Sequence, residues 1–177
     1  MQSVGAISGR EMRPLFYLPA IDPCFQKGDD SLTQITLKNL TKTIAGEVLF
    51  SVDQLTAHTG DRIGIVGANG TGKTTLARLI AGIDTDFEGQ RTVTDEVTLV
   101  PQIAPTRGRS GGQSMLDRVR VALAQRPAIL ILDEPSANLD DEHQQWLAQQ
   151  LQHFNGLLLL ISHDRDFLDP VVDKILH

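Results

Sequence analysis

Apolar and polar residues alternate along two early stretches of the chain, "LTQITLKNL" from Leu32 and "EVLFSVDQL" from Glu47. Alternation with a period of two is typical of strands that bury one face, and Gly46 between the stretches provides a turn. The pattern therefore predicts a small N-terminal antiparallel β hairpin. Residues 1–31 show neither strand nor helix periodicity, and we expect them to form an irregular leader or linker outside the core.

Beyond the hairpin, short apolar runs alternate with segments whose apolar residues recur at helical spacing. The runs "RIGIV", "EVTLV", "AILIL" and "LLLLI" predict buried strands. Helices are predicted from Lys73 to Gly82, from about Gly112 to Arg126, from about Asp141 to Phe154, and briefly after His163. Strands that alternate with helices indicate a mostly parallel sheet flanked by helices. The expected fold class is α/β, with residues 32–177 forming a single domain.

The composition narrows the class of protein. The chain has 177 residues, of which 41% are hydrophobic and 21% charged, and its net charge of -6 argues against a general nucleic-acid-binding protein. Its apolar runs are far shorter than the roughly 20 residues that a membrane-spanning helix needs. A single cysteine, Cys24, excludes an intrachain disulfide, and no Cys/His spacing resembles a zinc site. We expect a cytoplasmic protein without direct membrane insertion.

The segment "GANGTGKT" directly follows a predicted strand and opens a predicted helix. This is the spacing of a phosphate-binding loop, in which glycines let backbone N–H groups point toward phosphate oxygens. Lys73 is expected to neutralise the β- and γ-phosphates, and the Thr74 hydroxyl to ligate Mg²⁺. An ordinary glycine-rich turn before a helix is the alternative interpretation. The residues expected to bind the nucleotide are Gly67, Ala68, Asn69, Gly70, Thr71, Gly72, Lys73, Thr74 and Thr75.

Two carboxylates, Asp133 and Glu134, follow the buried run "AILIL". Ligands of open parallel sheets collect at the carboxyl ends of the strands. Asp133 is therefore placed to hold Mg²⁺, usually through water, and Glu134 to orient or deprotonate an attacking water. An acidic turn after a strand is the alternative.

The segment "RSGGQ" from Arg109 is a second glycine-bearing turn before a helix. It predicts either another anion site or a simply capped helix.

The ordered set "GANGTGKT", Gln102, "SGGQ", "LILDEP", "SANLD" and "SHD" resembles the ATP-binding cassette (ABC) ATPases, over residues 33–177. The resemblance implies a P-loop NTPase core, ATP and Mg²⁺ as cofactors, and ATP hydrolysis. It also implies that a second ABC domain, in a homodimer or a tandem copy, binds across the ATP. In that arrangement, Ser110, Gly111, Gly112 and Gln113 contact the γ-phosphate of the ATP held by the second copy.

The same resemblance implies roles for three residues outside the phosphate loop. Gln102 would sense Mg²⁺ and the attacking water, Asp140 would couple the two ATP sites, and His163 would contact the γ-phosphate. From the residues alone, a histidine after the buried run "LLLLIS" is a core or capping residue. The resemblance favours the catalytic interpretation of His163.

Residues 162–169, "SHDRDFLD", further resemble the ABC-F subfamily, whose tandem ATPases act on the ribosome as translation or antibiotic-resistance factors. The alternatives are an ATPase subunit that binds a membrane transporter subunit, or a truncated nucleotide-binding module without catalytic activity. A kinase or GTPase would need an acceptor site or a base-reading motif, and the sequence shows neither.

The sequence departs from the family pattern at three places. Only residues 103–109 separate Gln102 from Ser110, where the family has a helical subdomain of many tens of residues. The subdomain looks deleted, which bears on the placement of Ser110 and on hydrolysis. Ile44 aligns with the aromatic residue on which the family stacks adenine. Leu116 stands where the family has a basic residue, and Arg120 lies four positions later.

Overall fold

The computed structural model describes residues 17–18, 34–102, 111–137 and 139–177. The strands in these residues are β1 (Tyr17–Leu18), β2 (Gln34–Ile44), β3 (Glu47–His58), β4 (Arg62–Ile65), β5 (Glu88–Val93), β6 (Val97–Val100), β7 (Ile129–Asp133), β8 (Leu157–Ile161) and β9 (Lys174–Leu176). The helices are α1 (Lys73–Ile80), α2 (Gly111–Ala124), α3 (Asp141–Gln152) and α4 (Arg165–Leu168).

The centre of the fold is a five-stranded sheet in the order β6-β7-β8-β4-β9, in which every neighbouring pair is parallel. β7 and β8 are buried along their whole length, as expected for strands covered on both faces. Together with the phosphate loop between β4 and α1, this arrangement confirms the expected α/β class of a P-loop NTPase core.

Two hydrophobic layers enclose the parallel sheet, and successive residues of β7 and β8 face them in turn. Ile129 and Ile131 pack in the layer formed with α1 and the β2–β3 hairpin. Leu130 and Leu132 pack in the opposite layer, with Val119 of α2, Leu147 of α3 and Phe167 of α4. The nearly continuous apolar runs therefore follow from burial on both sides of the sheet.

The predicted hairpin forms, and it belongs to a larger second sheet in the order β1-β3-β2-β5. β2 and β3 pair antiparallel through a tight turn at Ala45 and Gly46, both of which have positive φ angles of 52° and 85°. Positive φ at both central positions is the geometry that two-residue hairpin turns favour. β5, which the sequence pattern did not predict, pairs antiparallel with β2.

A short strand also comes from the segment expected to be an irregular leader. Tyr17 and Leu18 pair in parallel with Ser51 and Val52 of β3. The rest of residues 1–31 lies outside the described residues. In the part of the chain that the structure describes, no helix is long and apolar enough to cross a bilayer.

Candidate functional site

The phosphate loop leaves β4 and enters α1 through residues in left-handed backbone conformations. Gly70 and Gly72 have φ angles of 83° and 94°, which residues other than glycine rarely adopt. Among the described residues, no side chain caps the start of α1, so its first N–H groups face the loop without a competing side-chain acceptor from that part of the chain. A helix start of this kind, directly after a glycine-bearing loop, suits a phosphate group.

Lys73 is held inside the loop by the loop's own backbone. Its Nζ donates to the carbonyl oxygens of Gly67 and Ala68, at 2.8 Å each, and the residue is only 7% exposed. Thr71 also bonds back to Ala68, because its hydroxyl donates to the same carbonyl at 2.9 Å. The ammonium group is thus already positioned at the mouth of the loop, with its aliphatic stem buried.

Gly72 fits the loop tightly against the hairpin. A Cβ atom at this position would lie 2.7 Å from Cδ1 of Phe50 and 3.0 Å from Cδ2 of Leu49, both on β3. Side-chain carbons do not approach this closely without displacement, so only glycine fits between the loop and the hairpin. The position of the phosphate loop is therefore fixed from two directions, by β4 behind it and by β3 beside it.

Thr74 and Asp133 meet at the carboxyl end of β7. The Thr74 hydroxyl donates to Oδ2 of Asp133 at 2.7 Å. The other carboxylate oxygen, Oδ1, is buried and has no hydrogen-bond partner among the described residues. Burial raises the pKa of Asp133 and the neighbouring Glu134 charge adds to this, whereas the Thr74 hydrogen bond and the Lys73 charge lower it.

These oxygens fit a magnesium ion. Mg²⁺ is bound in nucleotide sites by one or two protein oxygens together with water and phosphate oxygens. A hydroxyl and a buried carboxylate with one unpartnered oxygen supply such a set. Within the described ranges, no cluster of three or more His, Cys, Asp or Glu side chains forms a protein-only metal site. A hydroxyl and a single carboxylate leave most of a cation's ligands to water and phosphate, so these two residues suit a cation that arrives with a phosphate ligand.

Glu134 and His163 form a second pair beside Asp133. Glu134 is 7% exposed, and its Oε2 lies 2.9 Å from Nδ1 of His163. The backbone N–H of His163 also points to Oε2, at 3.4 Å. Glu134 has a φ of 50°, a strained conformation for a residue with a side chain, and its N–H donates to the carbonyl of Ile161 at 2.8 Å. Strain of this kind is common at functional sites.

These groups surround one open cavity of about 470 Å³, within the usual range of small-molecule sites. On one side lie residues of the loop and α1, namely Asn69, Gly70, Gly72, Lys73, Thr74 and Thr75. Residues at or just after the ends of β6, β7 and β8 form another side, namely Gln102, Asp133, Glu134 and His163. The hairpin contributes Ile44 and Leu49.

The structure thus brings together most of the residues that the sequence selected. Six of the nine predicted loop residues line the cavity, and Gly67, Ala68 and Thr71 instead shape the loop through hydrogen bonds to each other and to Lys73. Gln102 is exposed at the cavity wall. His163, for which a core role was the alternative, is exposed and bonded to Glu134.

The second glycine-bearing turn is placed differently. Ser110 lies outside the described residues, while Gly112 is buried and Gln113 exposed in the first turn of α2. Gly112 and Gln113 are not among the described residues that line the cavity.

Asp140 caps α3, because its Oδ1 accepts a hydrogen bond from the N–H of His143 at 2.9 Å. That hydrogen bond and a second one from the His143 ring lower the pKa of Asp140.

Leu49 is a lining residue that the sequence pattern did not reveal. The register between β2 and β3 shifts after Lys42, since Lys42 pairs with Phe50 and Thr43 with Val48. Leu49 is the extra residue of this β-bulge. Bulges redirect a side chain away from simple alternation, so the period-two pattern gives no indication of where Leu49 points.

Comparison with known proteins defines the class. The ABC transporter family model matches residues 50–108. VmlR, a ribosome protection protein of Bacillus subtilis (strain 168), is 32% identical over 80% of this chain and 30% of its own length. The tungstate uptake system ATP-binding protein TupC of Peptoclostridium acidaminophilum is 28% identical over 80% of this chain and 92% of its own.

A solved structure, an inward-facing conformation of a metal-chelate type ABC transporter, has the same fold. Its TM-score is 0.71 at 20% identity, and the match covers 82% of this chain and 79% of that one. The family model and the sequence relatives together identify the chain as a nucleotide-binding domain of the ABC ATPases. It is ABC-F-like, because its relatives include VmlR and the erythromycin resistance ATP-binding protein MsrA of Staphylococcus epidermidis, which is 28% identical. The chain spans 30% of the length of each of these two relatives.

Proposed function

We propose that this chain binds ATP with Mg²⁺ in the cavity and hydrolyses it, in partnership with a second ABC domain. The observation that carries the proposal is the convergence of Lys73, Thr74, Asp133, Glu134 and His163 on one cavity from separate elements of the fold. A phosphate-binding loop alone supports binding. The added pair of carboxylates, with a histidine bonded to one of them, supports hydrolysis.

The binding step uses the loop and the start of α1. Lys73 neutralises phosphate charge, and the uncapped N–H groups of α1 donate to phosphate oxygens. When bound, Mg²⁺ would supply positive charge that offsets the negative charge of the phosphates. Thr74 and Asp133 are the residues that would hold it, because their oxygens already lie together and Oδ1 of Asp133 has no partner among the residues that the structure describes.

The hydrolytic step is assigned to Glu134. Its carboxylate orients the attacking water and accepts a proton from it, while the hydrogen bond from His163 holds the carboxylate in place. Gln102, at the same wall, is available to contact the water or the cation. Lys73 stabilises the charge that spreads over the phosphate oxygens as the bond to the leaving group breaks.

The second glycine-bearing turn is assigned to the other ABC domain's nucleotide. Gly112 and Gln113 do not line this chain's own cavity, as expected if Ser110, Gly112 and Gln113 complete the site of a partner copy. Each ATP would then lie between the phosphate loop of one domain and this turn of the other. Closure of the pair around ATP is the proposed mechanical output.

An ABC-F-like role on the ribosome is the favoured cellular function, since a ribosome protection protein and an erythromycin resistance ATP-binding protein are among the relatives. A transporter ATPase subunit is the second candidate, because the match to TupC covers 92% of that protein's length. A cytoplasmic location, suggested by the single cysteine, belongs to the same proposal. A module that binds nucleotide without turnover is the third candidate, favoured by the short connection between Gln102 and Ser110.

The deciding experiment measures steady-state Mg²⁺-ATP hydrolysis by the protein and by Glu134→Gln, with ATP binding and oligomeric state followed in the same samples. Glu96→Gln, at an exposed glutamate away from the cavity, is the matched control. We expect turnover in the parent and in the control, and a loss of about a hundredfold or more in Glu134→Gln, which should form an ATP-dependent dimer.

Other results would point elsewhere. ATP binding without turnover or dimerisation would favour the third candidate, a module that binds nucleotide without catalysis, over the ATPase. Cosedimentation with ribosomes that depends on ATP would favour the ABC-F-like role, whereas pull-down of an integral membrane protein would favour the transporter subunit. Unchanged ATP binding in Lys73→Ala would show that this cavity is not the ATP-binding site.

A further inference from the structure

The antiparallel sheet holds α1 at both of its ends. At the start of the helix, Gly72 lies directly against Leu49 and Phe50 of β3. At the other end, Nε of Arg91 on β5 donates to the carbonyl oxygen of Ile80, the last residue of α1, at 3.2 Å. Because a helix of eight residues is only about 12 Å long and moves as a stiff rod, a shift at one end displaces the other.

Lys42 adds an ion pair at the far end of α1. The N–H of Asp84 donates to the carbonyl of Arg78 in the last turn of the helix, at 3.2 Å, which ties Asp84 to α1. Nζ of Lys42 lies 3.0 Å from the Asp84 carboxylate, and Lys42 is almost fully buried. Burial of an ammonium group is costly, and only a close fit to its partner offsets that cost. The ion pair therefore fixes a distance and a direction, which apolar packing does not do.

The same position of the hairpin also reaches the loop end of α1. Lys42 pairs with Phe50 in the register of β2 and β3, and the β-bulge follows immediately. Cδ1 of Phe50 lies only 2.7 Å from where a Cβ atom at Gly72 would be. One cross-strand pair thus contacts the start of α1 through Phe50 and the segment after its end through Lys42.

We propose that Lys42 is a positioning residue for the phosphate site, and that it acts through α1. Its ion pair with Asp84 holds the helix where the first N–H groups and Lys73 meet the phosphate. This inference rests on the proposed function of the cavity and adds a residue that is not among the described residues lining it. Donors that are already in place bind an anion without a cost for ordering, so freedom at the far end of α1 should weaken binding at the near end.

The test is calorimetric titration with inorganic tripolyphosphate in Mg²⁺ buffer, which has no base to contact the hairpin side of the cavity. The proteins compared are the parent, Lys42→Met, Asp84→Asn and the double variant. We expect each single substitution to weaken binding by about threefold to thirtyfold. The double variant should lose no more than the weaker-binding single variant, because both substitutions remove the same ion pair.

Lys174→Met is the matched control for lost stability. Lys174 also forms an ion pair at 3.0 Å, with Asp61, which directly precedes β4 at the end opposite the phosphate loop. Its loss should lower the free energy of unfolding and leave tripolyphosphate affinity within about twofold of the parent. Equal weakening by Lys174→Met and Lys42→Met would overturn the inference, as would single losses that add in the double variant.

Hydrogen exchange tests the inference in the unmodified chain, even if a variant does not fold. Coupling is reciprocal, so bound tripolyphosphate must strengthen the contacts at the far end of α1. The N–H groups of Ile83 and Asp84, both bonded to the carbonyl of Arg78, should exchange about threefold more slowly or less. The N–H groups of Gln125 and Arg126, at the end of α2, are the comparison. Equal slowing at both helix ends would contradict the positioning role.

The two proposals fail in different ways. If tripolyphosphate does not bind, or if Lys73→Ala leaves its binding unchanged, the phosphate site itself is wrong and the proposed function falls with the inference. If binding depends on Lys73 but stays within about twofold of the parent in Lys42→Met and Asp84→Asn, only the positioning role is wrong.

Discussion

The hydroxyl of Thr74 donates a 2.7 Å hydrogen bond to Oδ2 of Asp133, which joins the first turn of α1 to the end of β7 across 59 residues of sequence. The bond keeps the two oxygens together before any ligand is present. Because Oδ1 of Asp133 is buried and has no hydrogen-bond partner in the described part of the chain, this oxygen is still available to accept a hydrogen bond or to bind a cation. Such a pair is prepared for a cation that can reach it with phosphate.

Removal of the Thr74 hydroxyl should therefore weaken magnesium-dependent binding selectively. For Thr74→Val we expect ATP affinity in Mg²⁺ to fall by about tenfold or more, in line with the loss of a metal-orienting group. Affinity in EDTA should stay the same, because the loop N–H groups and Lys73 are untouched. Titration calorimetry in both buffers measures this, and Thr74→Ser, which keeps the hydroxyl, should restore the parent behaviour. Equal weakening in both buffers would show that Thr74 acts on the loop instead.

The close fit of Gly72 against the hairpin gives a stability prediction. Gly72→Ala should lower the free energy of unfolding by about 2 to 4 kcal/mol, since the new methyl group overlaps Phe50 and the backbone is left-handed. Gly70→Ala is the matched control, because Gly70 has a similar φ of 83° but no atom of the described residues within 4 Å of the added carbon. It should cost only about 1 kcal/mol. Urea denaturation distinguishes the two, and equal losses would contradict the packing argument.

A buried lysine ties the hairpin to the loop that follows α1. Lys42 is 4% exposed, and its Nζ lies 3.0 Å from the carboxylate of Asp84 and 3.3 Å from that of Asp86. Burial lowers the pKa of Lys42, but the hydrogen bonds and charges of the two aspartates outweigh it and raise the pKa overall. The Lys42 hydrogen bond, together with one from the Asp86 N–H, lowers the pKa of Asp84.

These shifts predict how stability depends on pH. Because the folded-state pKa of Asp84 is lowered, its contribution is present above the ordinary carboxyl pKa and is lost as the pH falls through the folded value. The pKa of Lys42 is raised, so its contribution is present below the ordinary lysine pKa and is lost as the pH rises through the folded value. The stability lost in Lys42→Met should therefore be largest between about pH 5 and pH 10 and should shrink on both sides.

Urea denaturation of both proteins across this pH range tests the prediction. Lys38→Met, at an exposed lysine on the same strand, should change stability by less than about 0.5 kcal/mol at every pH. A loss in Lys42→Met that stays constant from acid to alkaline pH would mean that packing of the lysine stem, rather than its charge, is responsible.

The strands that the sequence pattern predicted best are the ones buried on both faces. β7 and β8 read as unbroken apolar runs because each residue meets one of the two hydrophobic layers. β5 could not be recognised in this way, since it is an edge strand whose sequence "EGQRTV" contains a single apolar residue. Its close pairing depends on Gly89, where a Cβ atom would lie 2.2 Å from the backbone oxygen of Asn39. That contact is made in three dimensions and leaves no periodic pattern.

Some residues of the candidate site can likewise be predicted from the sequence, and others cannot. Lys73, Thr74, Asp133 and Glu134 belong to contiguous motifs, and the carboxyl ends of parallel strands bring such motifs together. Leu49 lines the cavity because of a bulge, which depends on the register between two strands. The bond between Glu134 and His163 depends on the turn that follows β7 and on the neighbouring strand β8. Motif spacing alone does not give these distances.

The order of the strands in the parallel sheet determines when the phosphate loop can fold as the chain is synthesised. β4, which carries the phosphate loop, has β8 and β9 as its neighbours, and the N–H of Val66 donates to the carbonyl of Leu176. A nascent chain that has just emerged through α1 therefore has the complete loop motif but lacks both strands that hold it. Pairings so distant in sequence form late. We expect the proposed nucleotide binding to be acquired only after β9 has been synthesised, so that binding directly measures whether the sheet has closed.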